Sequence, residues 1–60
     1  MNDWEKIDSN ILVSLINTKL RNNYSSLDEL CEDLNINRNQ LENTLKKIDY
    51  YYNTTRNQFI

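Results

Sequence analysis

Neither glycine nor proline occurs in this chain of 60 residues, so the two residue types that most often punctuate a fold are missing. Glycine supplies left-handed backbone at no steric cost and proline pre-sets a turn. Without them asparagine, which tolerates left-handed dihedrals better than most residues, must close the turns. The breaks are therefore expected at Asn22-Asn23, at Asn35 and Asn37 around Ile36, and at Asn53 and Asn57. These positions divide the chain into three helical stretches and a tail, with no internal repeat, low-complexity tract or linker.

A chain of this length buries only about 60% of the surface that its unfolded form exposes, which leaves room for one core. Hydrophobic residues make up 38% and charged residues 27% of the sequence, values of a globular domain rather than a disordered one. Residues 1–60 are read as one domain, with a segment at 1–8 ahead of the first helix. Cys31 is the one cysteine and cannot close an internal disulfide. No charged start followed by an apolar run resembles a signal peptide or a membrane span, so a cytoplasmic setting without membrane contact is expected.

The first helix is predicted at 9–22. Ile11, Leu12, Leu15, Ile16 and Leu20 recur at helical spacing as one apolar stripe, with Asp8 or Ser9 placed to cap its start. Lys19 and Arg21 fall in its last turn, where positive charge suits the carbonyl end of the helix dipole. Upstream, Trp4 and Ile7 either extend the stripe or fold back over it as a lid.

The second helix is predicted at 26–34. Ser26-Leu27-Asp28-Glu29 has capping-box spacing, in which the serine hydroxyl and the glutamate carboxylate satisfy backbone donors reciprocally. Leu27, Leu30, Cys31 and Leu34 form the inner face and leave Asp28, Glu29, Glu32 and Asp33 outside. Cys31, small and on the apolar side, is read as structural. The carboxylates are read as a solvated face, because no histidine or constrained loop accompanies them to make a metal site.

The third helix is predicted at 37–48, opening with Asn37-Arg38-Asn39-Gln40 and continuing with Leu41, Leu45 and Ile48. Between the last two helices, Asn35 is expected to take the left-handed capping position, Ile36 to drop back into the core, and Asn37 to cap the third helix. That is the grammar of a helix-turn-helix. From 50 to 60 aromatic and β-branched residues flank a polar centre, which predicts a two-stranded hairpin leaning on the helices. Tyr50 and Tyr52 should share one face and Tyr51 take the other, with Phe59 and Ile60 packing from the return strand. The fold class is thus mainly α: a three-helix core with a short C-terminal β-hairpin, a winged helix in miniature.

The segments Leu-Ile-Asn-Thr-Lys-Leu-Arg at 15–21, Tyr-Ser-Ser-Leu-Asp-Glu-Leu-Cys-Glu-Asp-Leu at 24–34 and Asn-Gln-Phe at 57–59 resemble a family of short uncharacterised bacterial proteins catalogued as a domain of unknown function, DUF4250. The family pattern sets a glycine ahead of its final tyrosine pair. This chain has Asp49 there, with an extra aromatic, Tyr51, between Tyr50 and Tyr52. The resemblance agrees with the fold and implies no activity.

Function is read in three classes. An enzyme is not expected, because histidine, a glycine-rich phosphate loop and a cysteine pair are all missing, and no cofactor or metal is implied. The first expectation is a DNA-binding regulator whose third helix enters the major groove. Arg38, Asn39, Gln40 and Asn43 are side-chain types that pair with base edges, Lys46 and Lys47 suit phosphates, and Arg56 suits a wing contact. Against double-stranded DNA stand a net charge of −2 and the four carboxylates of the 26–34 helix. With so few cations, a homodimer or a larger carrier would be needed for binding. The alternative is a protein-interaction or self-association module that uses the acidic helix or the aromatics Trp4, Tyr50, Tyr51 and Tyr52.

Overall fold

In the computed structural model, which describes residues 3–60, the chain runs through one 3-10 turn, three α-helices and a two-stranded hairpin. The helices are α1, Ser9–Asn22, α2, Leu27–Leu34, and α3, Arg38–Lys46; the strands are β1, Tyr52–Asn53, and β2, Gln58–Phe59. Met1 and Asn2, part of the segment read at 1–8, lie outside the described residues.

Local chemistry explains each boundary. Asp8 caps α1, its carboxylate accepting from the Asn10 and Ile11 N–H groups at 2.9 and 3.4 Å. Ser26 caps α2 by accepting from Glu29 N–H at 3.1 Å. The other arm of that capping box differs from expectation: the Glu29 carboxylate accepts from the Ser25 hydroxyl at 2.8 Å. Asn37 caps α3 through a 3.0 Å bond from Gln40 N–H.

The missing glycines are replaced at four left-handed positions, Asp3, Asn35, Asp49 and Asn57. Asn35 (φ 56) ends α2, and Ile36 N–H returns to the Cys31 carbonyl at 2.8 Å. That bond, with Asn35 N–H reaching the Glu32 carbonyl at 3.4 Å, makes a Schellman cap whose following apolar residue, Ile36, drops into the core as expected. The same device closes α3. Asp49 (φ 64) is left-handed, Asp49 N–H bonds the Lys46 carbonyl at 2.9 Å, and Tyr50 N–H bonds the Leu45 carbonyl at 3.0 Å. The last turn also tightens, with Ile48 N–H bonding the Leu45 carbonyl at 3.1 Å, so α3 stops at Lys46, short of the expected 48. Aspartate serves in two of the four positions, so asparagine does not act alone. Asn23, by contrast, ends α1 at φ −126, outside the left-handed region.

One apolar core draws on all parts of the fold: Trp4, Leu12, Val13, Ile16, Leu20, Leu27, Leu30, Cys31, Ile36, Leu41, Leu45 and Phe59 are buried, and no polar or charged side chain among the described residues is buried with them. Trp4 is only 4% exposed and Ile7 packs against the same cluster, so the start of the described chain joins the core. Two expectations change here. Ile11 is 63% exposed while Val13 is buried, because the buried stripe of α1 centres on Leu12, Ile16 and Leu20 and Val13 borders it. Ile60 is 53% exposed rather than packed, since side chains alternate along a strand and Phe59 takes the inward place.

The hairpin is antiparallel, with Tyr52 opposite Phe59 and Asn53 opposite Gln58. Tyr51 and Ile60 extend it by exchanging two backbone bonds, of 3.0 and 2.9 Å. Its loop is tied by the Asn53 carboxamide, which accepts from Arg56 N–H at 2.9 Å, and ends on left-handed Asn57 (φ 53).

Candidate functional site

Polar side chains hold the hairpin to the helices. The Asn57 amide donates to the Leu20 and Tyr24 carbonyls at 3.2 and 2.9 Å, and its oxygen accepts from the Tyr52 hydroxyl at 2.6 Å. The Tyr52 oxygen in turn accepts from Leu27 N–H at 3.2 Å, one of the first-turn donors of α2 that no helical carbonyl can reach. Asn17 bonds both backbone groups of Phe59, and the Gln58 amide donates to the Asn17 carbonyl at 3.1 Å. No expectation from sequence singled out Asn17 or Gln58. The one signal was that Asn17 and Gln58 both fall in segments shared with the resembled family, at 15–21 and 57–59.

This attachment creates a groove of about 270 Å³ between α3 and the hairpin, lined by Glu42, Asn43, Lys46, Tyr50, Tyr51, Tyr52 and Phe59. Both candidate sets meet here. Asn43 and Lys46 come from the DNA set, and the three consecutive tyrosines come from the partner set. Tyr51 faces outward, 52% exposed, while Tyr50 and Tyr52 pack against the core.

Arg38 stands at the start of α3 and is already engaged. Its guanidinium pairs with Asp28 at 2.7 Å and with Glu42 at 3.3 Å, and lies 5.5 Å from the centre of the Tyr52 ring. The Asp28 hydrogen bond is the main cause holding its pKa above the usual value. Tyr52 also tilts against Phe59 at 5.5 Å between ring centres. Arg38 is thus a clamp linking α2, α3 and the hairpin, and a carboxylate sits against it where a phosphate or a base would have to approach.

The other candidates separate. Asn39, Gln40, Lys46 and Lys47 are exposed on α3 or at its C-terminal end, or partly so. Arg56, at the hairpin loop, lines a different depression of about 440 Å³ with Leu20, Arg21, Asn57 and Gln58. Trp4, named as a partner contact, is core and presents no surface. Glu29, Glu32 and Asp33 stay exposed on α2. Asp33 accepts from the Tyr24 hydroxyl at 2.5 Å and so raises the Tyr24 pKa. Burial pushes the Cys31 thiol up, which keeps it in the unreactive protonated form. Among the described residues no group of three or more acidic, cysteine or histidine side chains is placed to hold a metal ion, and no helix is long and apolar enough to cross a membrane.

The fold and groove together define a small helical domain that carries a β-hairpin at its C-terminal end. Residues 6–59 match the family described as Domain of unknown function (DUF4250), and the chain belongs to that family. No curated protein and no solved structure matches it.

Proposed function

We propose that this protein is a non-enzymatic interaction module that docks another polypeptide at the groove between α3 and the hairpin. The observation that carries this reading is the exposed pair Tyr51 and Ile60, two large side chains joined across the end of the hairpin, of which Tyr51 lines that groove. Aromatic residues are enriched at the centres of protein interfaces. Asn43 and Lys46 add polar contacts at the edge, as an interface rim requires.

The test is affinity capture by the purified chain from an extract of its own host, beside a Tyr51→Ser, Ile60→Ser variant and a Glu32→Ser control on the acidic helix. A protein retained by the wild type and the control but lost with the double variant supports the reading. Retention indifferent to the double variant overturns it.

A second reading, a miniature winged helix acting as a DNA-binding regulator, is favoured by one observation: Asn39, Gln40, Asn43, Lys46 and Lys47 all keep side-chain surface open to solvent along α3 and its end. The engagement of Arg38 by Asp28 and Glu42 weakens it, because both carboxylates would meet phosphates. Titration with random duplex DNA at low and moderate salt decides it. Steeply salt-dependent binding lost in Lys46→Ala, Lys47→Ala restores the DNA reading, and no binding at low salt retires it.

A further inference from the structure

We infer that the occupant of the groove is a second copy of this chain, joined edge to edge through β1, so that the two Tyr52 residues exchange their backbone hydrogen bonds across a two-fold axis. This rests on reading the α3–hairpin groove as an interface.

The two edges of the hairpin are treated differently. In an antiparallel pair, residues that exchange both bonds alternate with residues whose N–H and C=O face outward. Tyr51 and Ile60 are the bonded pair, so Tyr52 and Phe59 turn their backbone groups to the two outer edges. On the β2 side that edge is closed, because the Asn17 carboxamide accepts from Phe59 N–H and donates to its carbonyl. On the β1 side the Tyr52 N–H and C=O have no hydrogen-bond partner among the described residues, although the Tyr52 hydroxyl is doubly engaged. An open strand edge is a template for another strand. Lysine and proline, two of the usual guards, do not occur among the edge residues Tyr50, Tyr51, Tyr52 and Asn53.

The pattern selects the same chain as the occupant. One outward N–H beside one outward C=O on the same residue is its own complement when two copies run antiparallel, the geometry of an isologous two-fold contact. The groove charges are self-complementary as well. Glu42 and Lys46 both line it and stand one helical turn apart on α3. Antiparallel apposition of two α3 helices sets each Lys46 opposite the other copy's Glu42. Lys46 has no ion pair among the described residues. An unrelated extended peptide would meet the backbone groups but not the charge order.

The experiment is sedimentation equilibrium of the full chain from micromolar to millimolar concentration, with the Tyr52 amide followed by hydrogen exchange. The mass should rise from 7.3 kDa toward twice that value, and Tyr52 protection should rise with it. Lys46→Glu alone and Glu42→Lys alone should each associate roughly tenfold more weakly, whereas an equimolar mixture of the two should recover wild-type association as a heterodimer. Because Glu42→Lys also disturbs Arg38, a synthetic chain N-methylated at Tyr52 gives a second reading. It removes the outward donor without touching the core and should stay monomeric with its helical spectrum intact. A monomer at every concentration overturns the proposal, as does a dimer indifferent to both the N-methyl group and the charge swaps. A monomer that still captures another protein through Tyr51 and Ile60 sinks the self-pairing and leaves the interaction-module reading standing.

Discussion

The side chain of Asn17 pairs with the backbone of Phe59 as a neighbouring strand would, its amide donating to the carbonyl at 3.0 Å and its oxygen accepting from the N–H at 2.8 Å. Removing it leaves two part-buried backbone groups unsatisfied, each costing about 1–3 kcal/mol. Asn17→Ala should therefore lower the stability by at least about 2 kcal/mol, read from the midpoint of urea unfolding. A wild-type midpoint would show that water replaces the amide without loss.

Asn57 combines three side-chain bonds with a left-handed backbone, and two substitutions separate these contributions. Asn57→Gly loses the bonds but keeps the backbone geometry. Asn57→Ala loses both and should be less stable than the glycine variant by about 1 kcal/mol. Equal stabilities of the two variants would mean that the loop relaxes out of the left-handed region.

Asp49 occupies a position that glycine fills at lower cost. Asp49→Gly should raise the unfolding midpoint, by up to about 1 kcal/mol of stability, because the left-handed strain at φ 64 disappears. Thermal unfolding measures it, and a lower midpoint would show that the aspartate side chain contributes more than its backbone costs.

Arg38→Ala should cost about 1 kcal/mol, the scale of a partly exposed ion pair together with a ring contact. The deficit should shrink in 1 M salt, where ion pairs are screened. Arg38→Lys keeps a charge but loses the planar fork and should recover only part. If Arg38→Ala matches the wild type at low salt, the clamp contributes nothing to stability.

Burial raises the Cys31 thiol in the folded chain. The raised folded value means that its contribution to stability is fully present below the ordinary thiol pKa, about 8.5, and is lost as pH rises through the folded value. Labelling by iodoacetamide at pH 8 should be slow in the native protein and fast in urea, and a Cys31→Ala variant should show a flatter decline in stability above pH 9. Rapid native labelling at pH 8 would place the thiol at the surface.

The helix starts and the end of α2 were legible because they depend on neighbours in sequence. Asp8, Ser26 and Asn37 cap through bonds two or three residues away, and Asn35 with Ile36 closes α2 as its spacing implies. Strand alternation set Tyr51 apart from Tyr50 and Tyr52, but it was not carried to Ile60, which must point away from Phe59. The attachment of the hairpin was not legible. Asn17, Asn57 and Gln58 act across 33 to 42 residues, and polar residues in those roles leave no periodic trace. The contacts of Arg38 were not legible for the same reason: a base-reading side chain and an interhelical clamp look alike until Asp28 and Tyr52 are brought beside it.

The bonds from Asn17 to Phe59 join residues 42 positions apart, and they bear on the order of folding. Contacts within α2 and α3 form locally and early, whereas pairing across most of the chain must first overcome the entropy of closing a long loop. The last strand therefore completes the first helix. During synthesis α1 is made early, yet its Asn17 amide and the carbonyls of Leu20 and Tyr24 wait for residues 57–59 to emerge. Until residues 57–59 pack, the helices enclose a core that is still open on one side.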